Sequence, residues 1–394
     1  MSNSALLVNR LESLPLLDGR YESLQCVSID RATGQRRGCF SLVFKAFDCA
    51  ERRTVALKFY DIDPQNLTRT YRKAAFHREH EILQVLLNDE RCLQLASSMR
   101  TYELEVRDPL TNIVFKIPCE FFAVDWLDGE VDEYFERQEH HTATDKLHLF
   151  NEIVLAVEAL HRHEVFHRDL KTDNLRAYTR ALKRIVVAID LGTAARRSTP
   201  AFGDYAAPVG ALFYAPPESF CQFANDRQIA HQADVYALGC LLFELFNIDY
   251  HYRALRTVHP TFDAFLAAMQ AMVLKAADPA QRLTLWKKNI GLLSKGISVG
   301  TIDQPGHSVP PAIVGILNEA LEKLTHPNFL LRARRLEGVR SIIWSGIRCL
   351  ENEREYRRRL EQLRERRRRR LERIQAREQR LRQFLANESR RAIQ

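Results

Sequence analysis

The sequence predicts an α+β protein of two unequal lobes, a small strand-rich lobe followed by a larger helical one, with a basic helical tail behind them. β-prone runs crowd the first third of the chain, and helical periods of apolar residues dominate from about residue 143 onward. Residues 351–394 contain neither glycine nor proline and hold 16 of the arginines. At 394 residues and 46% hydrophobic content, the chain is long enough for roughly two or three cores.

The strands come first. "ESLQCVSI" (22–29), "CFSLVFKAF" (39–47) and "RTVALKFY" (53–60) are β-prone runs separated by turn-like segments. A helical run, "TRTYRKAAFHREHEILQVLL", follows, in which Ala75, Glu79, Ile82 and Leu86 share one face. A carboxylate on an apolar stripe needs a partner, so Glu79 is singled out. "TYELEV" and "FKIPCEFFAVDW" supply two more strands. Beyond them "HLFNEIVLAVEALHRH" is amphipathic, whereas "ADVYALGCLLFELF" is apolar around most of its circumference and predicts a buried helix.

Charge and cysteine usage bound the function classes. The net charge of +8 resides entirely in the tail, where 16 Arg face 8 Glu, and the body is formally neutral. The body therefore gives no electrostatic reason to bind nucleic acid. The eight cysteines are scattered without a CxxC pair, which fits reduced thiols rather than a zinc site or a disulfide framework. "ALGCLLFELF" (237–246) is the longest apolar run and is shorter than the roughly 18 residues of a membrane span. A cytoplasmic protein without a membrane span is expected.

Six blocks then occur in order: "VALK" ending in Lys58, 15 residues beyond Val43; "HREHEIL" with Glu79; "HRDLKTDN" (167–174); "AIDLGTA" (188–194); "GALFYAPPE" (210–218); and "DVYALG" (234–239). Taken singly, Lys58 would be a strand-end lysine and "DLG" a turn. As an ordered set over 20–345, they resemble the eukaryotic-type (Hanks-type) Ser/Thr protein kinases. The resemblance implies a bilobal protein-kinase-like fold, with 20–127 as the small lobe and 128–350 as the large one. Residues 1–19 are left as an N-terminal extension and 351–394 as an Arg-rich helical tail.

The resemblance also implies ATP and Mg²⁺ as cofactors and protein hydroxyls as acceptors. Phosphoryl transfer asks the protein mainly to position reactants and neutralise phosphate charge. On the matching positions, Asp169 accepts the proton of the acceptor hydroxyl and Lys171 stabilises the transferring phosphate. Asn174 and Asp190 hold the metal through oxygen. Lys58 contacts the phosphates and is oriented by Glu79, favoured over Glu81 for its spacing to Ile82 and Leu83. Gly38, Val43 and Ala56 complete the nucleotide site. His167 is structural, and Arg168 is a cation able to pair with a phosphate on the following segment.

Departures from the family pattern fall at defined places. Arg36 and Ser41 stand where the nucleotide-covering loop has glycines, Leu191 replaces Phe after Asp190, Ala211 replaces a Thr near the catalytic Asp, and Pro216 replaces Ala. Glu218 requires a buried arginine, for which Arg332 is favoured over Arg282. With Arg332 chosen, residues 250–310 form an enlarged segment. Ser198 and Thr199, after Arg196-Arg197, are the leading candidate phosphosites, with Thr193 and Tyr205 also on the segment. For the tail, a helix packing on the body or in a short coiled coil is favoured. Second comes an acidic or nucleic-acid partner, through "RERRRRR" (364–370). Alternatives for the whole are a pseudokinase scaffold or a small-molecule kinase.

Overall fold

The computed structural model describes residues 2–29, 41–63, 70–107, 112–137, 140–199, 209–296, 301–302 and 309–355, with isolated positions up to 369. The small lobe is a five-stranded sheet built from β1 (Tyr21–Cys26), β2 (Ser41–Asp48), β3 (Arg53–Tyr60), β4 (Leu95–Arg107) and β5 (Val114–Asp125) in the order β1-β2-β3-β5-β4. All its pairings are antiparallel. Strand β3 is central and buried on both faces, which explains why "TVALKFY" reads as a nearly continuous apolar run. On one face its Lys58 lies in register with Val43 and Phe122; on the other, Phe59 stacks on Phe121 with ring centroids 4.6 Å apart.

The residues set aside as an N-terminal extension contain a helix that belongs to this lobe. In α1 (Asn3–Ser13), Ser2 caps the first turn by accepting the Ala5 N–H. Leu7 and Leu11 are fully buried in the main apolar cluster, with the helix packed beside β1. The helix is tied at both ends: the Ser4 N–H donates to Asp63 at 3.1 Å and its hydroxyl to Asp61, while Glu12 accepts the Cys26 N–H at 2.8 Å. Its short apolar set, offset by Asn9 and Arg10, left no strong sequence period. Leu11→Ala should lower unfolding stability by about 2–4 kcal/mol, seen as a lower urea midpoint at unchanged slope. A surface helix would show almost no change.

Helix α2 (Thr70–Val85) packs on the Lys58 face of the sheet and connects to the large lobe through the turn at Asn88–Arg91. Asp89 there pairs with Arg162 and His163, and Arg91 pairs with Glu152 at 2.7 Å. A helical turn, α3 (Glu133–Glu136), precedes α4 (Ala143–Arg162), which opens with a capping box between Thr142 and Asp145. The expected buried helix is α5 (His231–Asn247), enclosed along nearly its whole length. Gly239 is required there, because a Cβ would meet the Thr325 side chain at 2.3 Å.

Around α5 lie α6 (His251–Val258), α7 (Phe262–Val273), α8 (Pro279–Gly296), α9 (Pro311–Thr325) and a closing helix α10 over 336–355. Trp286 and Met269 of the 250–310 segment join Phe223, Ile229 and Phe329 in a second apolar cluster, so the segment packs on the residues before α5 and after α9. Helix α10 runs without a break across residue 350, and residues 370–394 lie outside the described residues.

The large lobe is less purely helical than its periodicity suggests. Between α4 and α5 come β6 (Val165–Phe166), β7 (Leu175–Arg180), β8 (Lys183–Ala188) and β9 (Ala195–Arg196), paired as β6-β9 and β7-β8. The β7-β8 turn places Ala181 and Leu182 at positive φ, a geometry that sequence normally announces with Asn or Gly. Without those residues, the hairpin gave no signal.

Candidate active site

The site lies where β3, α2 and the loops around β6–β9 converge. Lys58 projects from the buried central strand, and its Nζ lies 2.5 Å from Glu79 on α2 and 3.2 Å from Asp190. Glu79 also accepts the Leu191 N–H at 3.0 Å, so one carboxylate ties the lysine, the helix and the segment after β8 together. This is the partner its apolar stripe demanded, whereas Glu81 is exposed. Burial opposes the charge on Lys58, yet Glu79 and Asp190 outweigh it and hold the ammonium above its ordinary pKa. Asp190 is kept below the usual carboxylate range, chiefly by Lys58. Its φ of 59° is left-handed, which turns the carboxylate back toward the lysine.

"HRDLKTDN" forms a loop and one 3₁₀ turn held from beneath by α5. Asp234, wholly buried on that helix, accepts the N–H groups of His167 (2.9 Å) and Arg168 (2.7 Å) and is bonded to His161 at 2.9 Å. Burial alone would raise its pKa, but the hydrogen bond from His161 and the loop amides bring it below the usual range. Asp234 was part of a quoted block but had no assigned role; a charge within an otherwise apolar helix was the available signal. His167 is fully buried with Nε2 2.9 Å from the Ile189 carbonyl, a structural role as expected.

Asp169 faces the opposite way. Its Oδ1 accepts the Ala211 N–H at 2.7 Å, while Oδ2 lies 3.3 Å from Asn174 Nδ2 and 3.9 Å from Lys171. Burial raises its pKa above the usual value, with Lys171 opposing. Asn174 also donates to the Asp169 carbonyl at 2.8 Å, which commits its NH₂ and leaves its carbonyl oxygen as the remaining donor atom. An ionised Asp190 and the Asn174 amide oxygen suit a hard cation such as Mg²⁺, which takes one or two protein oxygens together with phosphate and water. Val43 and Ala56 lie on the same sheet face as Lys58. Gly38, with Arg36 and Tyr205, falls outside the described residues.

Arg332 is the partner of Glu218: its NH2 reaches Oε2 at 2.9 Å, NH1 binds Oε1, and both side chains are buried. Arg282 instead donates to the Ala276 carbonyl. Leu191 fills a fully buried position beside Asp190, whose carboxylate lies 3.2 Å from Lys58. Ser198 is exposed; Thr199 is half-buried and accepts the Arg196 N–H at 3.3 Å. Arg168 directs Nε to the Thr193 carbonyl at 2.9 Å, and Arg78 directs Nε to the Ala194 carbonyl at 3.0 Å. These two cations therefore brace the start of the segment through its own backbone. Among the described residues no helix is long and apolar enough to cross a membrane.

Comparison with known proteins agrees with this geometry. Residues 33–295 match the protein kinase domain model, and the chain belongs to that family. It is similar to the serine/threonine-protein kinase SIK1 of Mus musculus, 27% identical over 241 residues covering 59% of this chain and 25% of that protein. Serine/threonine-protein kinase Nek4 of Mus musculus is 34% identical over 106 residues, 27% of this chain and 12% of that protein. A probable cell division protein kinase of Encephalitozoon cuniculi is 25% identical over 212 residues, 54% and 69% of the two chains. The chain spans about a quarter of the length of the SIK1 relatives.

Proposed function

We propose that this chain is an ATP-dependent protein kinase that phosphorylates Ser and Thr hydroxyls. The observation that carries it is the joint placement of Lys58, Glu79 and Asp190 in one ion-paired set, with Asp169, Lys171 and Asn174 on the facing loop. In the reaction, the acceptor hydroxyl oxygen bonds to the γ-phosphorus, the bond to the β-phosphate oxygen breaks, ADP leaves, and Asp169 takes the hydroxyl proton. Lys58, fixed by Glu79, binds the α- and β-phosphates, and Lys171 lies beside the transferred group. Asp190 and Asn174 would hold Mg²⁺, whose chemistry when bound is to neutralise phosphate charge. A scaffold without catalysis would have no need for this complete charged set, and Lys171 together with "GALFYAPPE" favours protein over small-molecule acceptors.

The flanking assignments are part of the same proposal. Residues 20–127 and 128–350 act as the two kinase lobes, and the protein works in the cytoplasm. Ser198, exposed after β9, and Thr199 are sites of self-phosphorylation. The basic tail packs on the body or self-associates as a short coiled coil, with an acidic or nucleic-acid partner as the second choice. Incubating the purified chain with labelled ATP, Mg²⁺ and a Ser/Thr peptide library should label peptides, with phosphate at Ser198 or Thr199 on mapping. Nucleotide binding without transfer to any peptide or to the chain itself would refute the reading.

A further inference from the structure

We propose that the backbone N–H of Ala211, delivered by Gly210, is the group that orients the Asp169 carboxylate in this chain. The inference rests on the kinase reading of the site. At position 211 the chain carries a methyl group, where related Ser/Thr kinases commonly place a threonine hydroxyl near the catalytic carboxylate. A methyl group cannot donate, so any anchor from this residue must come from its main chain. The 2.7 Å bond from the Ala211 N–H to Asp169 Oδ1 is that anchor.

Gly210 makes the approach possible. Its φ is +94°, and a Cβ built there would lie 2.4 Å from the Arg168 carbonyl oxygen and 3.6 Å from Asp169 Cα. The segment therefore runs against the catalytic loop at the residue preceding the base, closer than any side chain permits. Ala211 itself adopts ordinary extended backbone, φ −73° and ψ 132°, so its amide is aimed without strain. A carboxylate on a single side-chain bond swivels unless one oxygen is bound. With Oδ1 held, Oδ2 is fixed toward Lys171 and Asn174. Ala211 and Gly210 are thus positioning residues, and the segment they form is mechanically joined to the base.

Ala211→Pro would drive a ring carbon into Asp169 Oδ1, 2.7 Å from the nitrogen, whereas replacing the Ala211 amide by an ester removes the N–H at constant side chain. With MgATP and a peptide substrate, kcat should fall about tenfold to a hundredfold, the cost of a misoriented reacting group, while the KM for ATP stays at its wild-type value. Cooperative melting of the ester protein, read beside ATP binding, separates loss of the fold from loss of the anchor. Wild-type kcat in a folded protein lacking this N–H overturns the proposal. Absence of transfer by the wild type would instead remove the kinase reading on which it rests.

Discussion

Asp169→Asn should reduce kcat for peptide phosphorylation by about 10²- to 10⁴-fold, the range expected for loss of a general base, while nucleotide binding is retained. Asparagine keeps an oxygen to accept the Ala211 N–H and the buried volume, so the fold and the Lys58–Glu79–Asp190 set are undisturbed. What it loses is the capacity to take a proton. Steady-state rates beside fluorescent-nucleotide titration separate the two quantities. A variant with unaltered kcat would mean that proton removal is not assisted at this carboxylate, and one that no longer binds nucleotide would mean the substitution had disturbed the cleft.

Arg332→Met should cost about 3–5 kcal/mol of stability, the penalty of stranding a buried carboxylate. Arg332 is a hub: besides Glu218, its guanidinium meets the carbonyls of His326, Gln232 and Pro327 and lies 4.8 Å from the Tyr236 ring centroid. Glu218 is 1% exposed, so removing the cation leaves a charge with no access to water. Adding Glu218→Gln should recover part of the loss, since the stranded charge is then gone. Chemical denaturation of the single and double variants measures this coupling directly. Equal stability of wild type and Arg332→Met would show that water reaches the pair.

Much of the site was legible because its residues occur in local strings. Lys58 ends an apolar strand, Glu79 interrupts an apolar helical stripe, and Asp169, Lys171 and Asn174 share one octet, so each was visible within a few positions. The pairing of Glu218 was harder, as two arginines had plausible local contexts; only the packing of the α9–α10 connection against α5 separates Arg332 from Arg282. The β7-β8 hairpin was missed because its turn uses Ala181 and Leu182 at positive φ, against their usual preference. Helix α1 was missed because its buried face is narrow, with Leu7 and Leu11 at its centre.

The sequence alone determined the two-lobed α+β order, the buried α5, and the identity of the charged residues around the cleft, since these depend on periodicity and short-range spacing. The tertiary structure decided the contacts that no local string or motif names. Asp234 under the catalytic loop, Arg332 beneath Glu218, Ser4 against Asp61, and the Ala211 amide on Asp169 join residues 42 to 114 positions apart. Bonds across such separations depend on how elements pack, and a main-chain N–H is present at every residue except proline. No residue type could announce that the amide at 211 would be the one placed on Asp169.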